Sequence, residues 1–168
     1  MKMTVRVENM FKFKFEEFWL ELIRLETEGK EYEVLCGRAD VKREGEKITA
    51  VARSDVVVFR VDDRYYVYFY KWYGWRRGWK PKHSDRLTLT IHKCKNGLCG
   101  ERIYIVYGDA DVVEDLAWTT DAIRYYYVTI VPRSSVVIVE HEFYDAETHP
   151  KYVRYDYYVY CRETWLAL

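Results

Sequence analysis

The sequence predicts a mainly β (α+β) fold: an antiparallel β-sandwich or barrel of about ten strands with one or two short helices. Three observations carry this expectation. Apolar and polar residues alternate with period two over most of the chain, and turn dipeptides separate the alternating runs at short intervals. The connections are too short for the crossovers that parallel strands need.

Val5 and Val7 alternate with Arg6 and Glu8, and Phe11, Phe13 and Phe15 with Lys12 and Lys14, which reads as two short strands around Asn9 and Met10. The period then changes. Phe15, Phe18, Trp19, Leu22, Ile23 and Leu25 fall at near-helical spacing, with Gly29 as a stop, and predict an amphipathic helix over about 16–28. Phe18, Leu20 and Leu22 also alternate, so a strand is the competing reading.

Hairpins follow. A turn at Glu44-Gly45 would pair Val41 with Ile48, Ala39 with Ala50 and Arg43 with Glu46. Asp62-Asp63 would pair Val58 with Val67 and Val56 with Phe69, leaving Tyr66, Tyr68 and Tyr70 as a stripe on the other face. Asn96-Gly97 is the strongest turn signal and would set Leu89 opposite Tyr104. Val112, Val113, Leu116, Ala117 and Thr120 repeat at helical spacing, with Asp111 and Glu114 resembling a capping box. Strands are expected over 123–131, 136–143 and 152–161. The expected core is Val56, Val58, Val67, Phe69, Val137, Val139, Val153, Tyr155, Tyr157 and Val159, the apolar halves of these strands. No internal repeat, low-complexity segment or linker stands out.

The 168 residues fit a single domain, 1–168, and 27 basic residues balance 27 acidic ones, which excludes a generally basic nucleic-acid coat. Gln is absent, Asn occurs twice and Tyr 17 times, the depletion of heat-labile side chains expected of a hyperthermophile, archaeal or viral in origin. Nothing approaches the ~18 uncharged apolar residues of a membrane span, and the first residues alternate charge with Phe. The expected address is therefore cytoplasmic or host-intracellular, with no membrane partner.

Four groups of residues are candidates for function. In KWYGWRRGWKPKH, residues 71–83, Trp72, Tyr73, Trp75 and Trp79 stand among Lys71, Arg76, Arg77, Lys80 and Lys82; from 71 to 86 six bases face one acid, a local charge of +5. Flat aromatics stack on bases and cations neutralise phosphates, so this segment, read as a long irregular loop, suits single-stranded nucleic acid or another polyanion; its rings would also suit a sugar. The plainer reading is a hairpin end whose arginines stack on its own tryptophans.

EHEFYDAETHP, residues 140–150, offers His141, Glu142, Asp145, Glu147 and His149 as metal-ligand types. Strand alternation turns His141 away from Glu142, so a solvated acidic loop with one core histidine is the better reading. GDADVVED, residues 108–115, carries Asp109 and Asp111, which could hold Mg²⁺ or simply cap a helix. Cys94 and Cys99 flank the Asn96-Gly97 turn at a spacing that suits a disulfide, whereas Cys36 and Cys161 are isolated in sequence. None of the four Ser lies in a G-x-S-x-G context and the eight Gly form no phosphate loop, so no catalytic residue or cofactor is assigned.

The sequence therefore favours a non-catalytic binding module acting through Lys71, Trp72, Trp75, Arg76, Arg77, Trp79, Lys80 and Lys82. A self-assembling structural or viral accessory protein, a homo-oligomer packed through exposed tyrosines, is the first alternative; a metal-dependent nuclease or hydrolase is the second.

Overall fold

The structure, a computed structural model, describes residues 2–5, 19–20, 31–44, 47–72, 74–79, 86–94, 103–144 and 153–168. Among them the period-two patterning is realised as fifteen strands, with a single 3-10 turn at Tyr70–Trp72 and no α-helix. All the pairings are antiparallel except that of β1 (Lys2–Val5) with β10 (Ile103–Tyr107). The chain divides into two compact units, one comprising Glu8–Lys80 and the other Met1–Val7 with Pro81–Ala167.

In the first unit, β3 (Tyr32–Cys36), β6 (Val56–Val61), β7 (Arg64–Phe69) and β8 (Gly74–Gly78) form a sheet in the order β3-β6-β7-β8. A second sheet, β2-β5-β4, comprises β2 (Trp19–Leu20), β5 (Lys47–Ala52) and β4 (Ala39–Glu44). Ile48, Ala50 and Ala52 of β5 pack with Val57, Phe59 and Val61 of β6 and Tyr66 and Tyr68 of β7, so the two sheets enclose one sandwich core.

The second unit repeats the arrangement. Its strands are β9 (Leu87–Cys94), β10, β11 (Ala110–Thr119), β12 (Ile123–Pro132), β13 (Val136–Tyr144), β14 (Val153–Cys161) and β15 (Thr164–Ala167). The sheet orders β10-β13-β14-β15 and β9-β12-β11 reproduce those of the first unit strand for strand, with β1 added beside β10. Leu89, Ile91, Tyr104, Val106, Val128, Ile130, Val137, Val139 and Trp165 form the equivalent core.

The correspondence extends to single residues. Val56 pairs with Phe69 and Val58 with Val67 in one unit, as Val136 pairs with Cys161 and Ile138 with Val159 in the other. Gly37 and Gly108, which follow β3 and β10, both have positive φ, 77° and 125°. The Arg53 N–H donates to the Arg38 carbonyl and the Arg133 N–H to the Asp109 carbonyl, both at 2.7 Å. The Ser54 hydroxyl accepts from the Arg38 N–H at 2.9 Å and donates to the Val56 carbonyl at 2.8 Å; Ser134 does the same with Asp109 at 3.2 Å and Val136 at 2.8 Å. Arg53 reaches Asp40, and Arg133 reaches Asp111, each at 2.6 Å. The unit of repetition is thus G-x-A-D-V followed by R-S-x-V-V, but 16 residues separate Gly37 from Arg53 and 25 separate Gly108 from Arg133. The longer hairpin β11–β12 accounts for the difference, so the repeat has no fixed period for a sequence scan to detect.

Several sequence expectations hold. Asp62-Asp63 closes the β6–β7 hairpin in the expected register, with Asp62 in the left-handed region at φ 51°. Strands occupy 123–132, 136–144 and 153–161. Val56, Val58, Val67, Phe69, Val137, Val139 and Val159 are buried; Tyr157 is half-buried, Tyr155 is exposed, and the Val153 side chain lies outside the described residues.

Others are corrected. Val112–Thr120 is not a helix: β11 pairs with β12 from Ala110 to Thr119, with a bulge between Leu116 and Trp118. Three or four apolar residues at helical spacing also satisfy alternation interrupted by a bulge, and pairing with β12 selects the strand. Trp19 and Leu20 lie in a strand against Val51 and Ala50, where a helix was expected; the remainder of 16–28, and the predicted strands beyond Val5, lie outside the described residues. The β4–β5 hairpin pairs each residue of β4 with a partner two positions further along β5 than expected, Val41 with Ala50 and Arg43 with Ile48, a shift that preserves which side chains share a face.

Leu89 pairs with Val128, not Tyr104, because β9 and β10 belong to different sheets of one sandwich. Leu89 and Tyr104 belong to a common core. The expected Cys94–Cys99 juxtaposition lies outside the described residues, whereas Cys36 and Cys161 are both disulfide-bonded. Tyr66 and Tyr68 do lie on the face opposite Val56 and Val58, and that face lines the sandwich core: Tyr66 and Tyr68 are buried in it with Tyr70 packed against it, while Val56 and Val58 are buried as well. A strand buried on both faces reads as the continuous apolar run Val56–Phe59.

Candidate functional site

Residues 71–72 and 74–78 of the basic-aromatic segment form a 3-10 turn and a strand where an irregular loop was expected. Phe69 ends β7, the 3-10 turn Tyr70–Trp72 reverses the chain, and Gly74–Gly78 returns as β8, pairing Tyr68 with Trp75 and Tyr66 with Arg77. β8 is the last strand of its sheet among the described residues. In the other unit a two-residue turn, Arg162-Glu163, replaces this longer connection, with φ values of 46° and 62°.

The tryptophans divide into different roles. Trp75 packs on the core, its ring centroid 5.6 Å from Tyr68 and 6.5 Å from Phe59. Trp72 lies edge-on to Phe69 at 5.3 Å and carries the Arg76 guanidinium over its face at 4.8 Å. Trp79 is 57% exposed, with the Arg77 guanidinium 5.6 Å from its ring centre. Lys71, Arg76 and Arg77 are exposed, and the Lys71 ammonium lies 5.9 Å from the Tyr70 ring. The arginines therefore do stack on their own tryptophans, and the stacking leaves the cations at the surface. Lys80, Lys82 and Tyr73 lie outside the described residues.

Comparison within the chain shows what the framework requires. The β7–β8 register places Trp75, Arg76 and Arg77 where β14–β15 places Trp165, Leu166 and Ala167. Tryptophan is common to both, whereas the two arginines replace an aliphatic pair.

The acidic candidates resolve differently. Asp111 is held by Arg133, and Asp40 by Arg53 in the same way, so this carboxylate belongs to the repeated framework. The Asp109 backbone is tied to Arg133 and Ser134. Glu114 accepts a hydrogen bond from the Tyr104 hydroxyl at 2.5 Å, and burial, with that contact second, raises the Tyr104 pKa. His141 is buried on β13 opposite Tyr104, whereas 145–150 lie outside the described residues. Among the described residues no group of three His, Cys, Asp or Glu is placed to hold a metal ion.

Two features had no clear sequence signal. Asp55 is fully buried, neither carboxylate oxygen finds a hydrogen-bond partner among the described residues, and burial raises its pKa to about 6. On β11 and β12, Val113, Trp118 and Tyr127 are each about half exposed, and Trp118 stacks on Tyr125 at 3.8 Å. A helical reading of 112–120 scatters these side chains; the strand assembles them on one face.

Comparison of the chain with family models, with curated proteins and with solved structures finds no match. No helix among the described residues is long and apolar enough to cross a membrane.

Proposed function

We propose that this protein is a non-catalytic binding module whose β7–β8 hairpin takes polyanions, single-stranded nucleic acid among them. One observation carries the reading: Arg76 and Arg77, with Lys71 beside them, are exposed cations on a strand whose internal counterpart carries Leu166 and Ala167. The equivalent positions of the other unit carry no charge, so the repeated framework does not itself demand cations there, and the contacts of Arg76 and Arg77 with Trp72 and Trp79 leave both at the surface. Phosphate binding at exposed cations releases counterions and therefore weakens linearly with log salt. The composition supports a hyperthermophilic source, archaeal or viral, and an intracellular setting belongs to the same reading.

The test is anisotropy of a labelled single strand of about twenty nucleotides, titrated at about 50 and about 200 mM salt with and without Mg²⁺. Salt-sensitive binding without cleavage is the expected outcome. Arg76→Ala with Arg77→Ala should weaken it and flatten the salt slope by about two contacts. Absence of binding at the lower salt would overturn the reading, and Mg²⁺-dependent cleavage would replace it with the nuclease alternative.

A second reading rests on the apolar, aromatic exposure of Val113, Trp118 and Tyr127 on one face. In the first unit the position equivalent to Val113 is the exposed Lys42, so this face too departs from the framework. It favours self-assembly, which sedimentation velocity over a concentration series would detect.

A further inference from the structure

We infer that the β7–β8 hairpin takes a single unpaired nucleobase on Trp79, with Arg77 beside it for the adjoining phosphate. The inference rests on the polyanion reading and narrows its ligand class to nucleic acid with a base out of the duplex stack.

Phosphate binding explains the arginines and leaves Trp79 unexplained. Of the hairpin's three tryptophans, Trp75 is committed to the core and Trp72 is packed against Phe69 beneath Arg76. Trp79 exposes 57% of its surface just past β8, the last strand of its sheet among the described residues, and belongs to neither core cluster of those residues. The Arg77 guanidinium 5.6 Å away restrains that ring and lowers the entropy lost when a planar ligand stacks on it. Indole stacking is tolerant of base identity, because every base has a π-face, but it requires that face to be exposed. In a duplex it is covered, and flipping a base costs a few kcal/mol.

The strand geometry limits the footprint. Consecutive side chains of a strand point to opposite faces, so Arg76 and Arg77 present their charges on opposite sides of β8. Their register partners, Val67 and Tyr66, likewise lie on opposite faces of β7. A chain that brings phosphates to both arginines must cross β8 instead of lying along one face of it. Such a crossing is short and carries one base to the one exposed indole described in this hairpin.

The experiment measures affinity of the full chain for oligothymidylates of about four and about twenty nucleotides, a duplex of about twenty pairs, and inorganic polyphosphate of similar length, each across a salt series. The short oligomer should bind nearly as tightly as the long one after correction for the number of sites. Trp79→Ala should weaken oligothymidylate binding about tenfold or more with an unchanged salt slope, and leave polyphosphate binding unaltered. Trp79→Phe should restore oligothymidylate affinity to within a few fold. An unchanged urea midpoint for both variants separates loss of stacking from loss of fold.

If oligothymidylate and polyphosphate bind alike and neither responds to Trp79→Ala, the base-stacking inference is overturned while polyanion binding stands. Duplex bound as tightly as single strand has the same consequence. If neither oligothymidylate nor polyphosphate binds at low salt, both readings fall together.

Discussion

Trp75 and Trp165 occupy the same point of two copies of one fold. Each is paired in register with a tyrosine, Tyr68 or Tyr160, and their ring centroids lie 5.6 and 5.4 Å apart at interplanar angles of 52° and 59°. In each, the indole nitrogen is buried with no hydrogen-bond partner among the described residues. The tryptophan is therefore retained for the area it buries on the sandwich core.

That relationship makes the tryptophans separable by stability. Trp165→Ala should cost about 3–5 kcal/mol, the range for truncating a buried aromatic, whereas Trp79→Ala should change stability by less than about 0.5 kcal/mol. Urea unfolding followed by far-UV circular dichroism measures both. A similar cost at the two positions would contradict the assignment of Trp79 to binding.

The repeated turn predicts an unequal pair of substitutions. Ser54 is buried and its hydroxyl both accepts and donates a backbone hydrogen bond, while Ser134 makes the same bonds half-exposed. Ser54→Ala should cost about 1–3 kcal/mol and Ser134→Ala less, because water reaches the groups left behind. Gly37→Ala should cost more than either: its φ is 77°, and a Cβ there would collide with the Val56 carbonyl oxygen. Thermal melts of the three variants rank them.

Asp55 predicts a pH dependence of stability. Its folded pKa, raised to about 6 by burial, exceeds the ordinary 3.8, so the folded state holds a proton that the unfolded chain releases. The resulting stabilisation is fully present below the unfolded pKa and is lost as pH rises through about 6. The difference between the two values corresponds to roughly 3 kcal/mol. Asp55→Asn should abolish this component, stabilising the protein at about pH 8 relative to wild type and leaving it nearly unchanged at low pH. Urea midpoints across the pH range provide the check; a variant that tracks the wild-type curve would refute the assignment.

Cys36 and Cys161 should both resist alkylation in the denatured, unreduced chain and both react after reduction. Peptide mapping by mass spectrometry reads the outcome residue by residue. Alkylation of Cys36 and Cys161 before reduction would show the thiols to be free.

Much of the fold was legible because alternation is a local property. Val56, Val58, Val67 and Phe69 declare a hairpin by themselves, since a two-residue turn at Asp62-Asp63 leaves their register no freedom. The arginine-rich segment was legible for a similar reason: composition places Arg76, Arg77 and Trp79 together whatever the strands do. Which of its tryptophans would be exposed was not, because the answer depends on whether each side chain meets the sandwich core.

By itself the sequence determined the β6–β7 hairpin, the strands over 123–132, 136–144 and 153–161, and which side chains share a face of each, because backbone sterics impose a period of two wherever a chain is extended. Tertiary structure alone decided which strands became neighbours. It made Val112–Thr119 a strand by pairing it with β12, and set Leu89 and Tyr104 across a core instead of along a hairpin. Only there do the Gly37 and Gly108 turns become two instances of one design, separated by hairpins of unequal length. Pairing between strands is a non-local free energy, summed over hydrogen bonds and buried area that no short window of sequence contains.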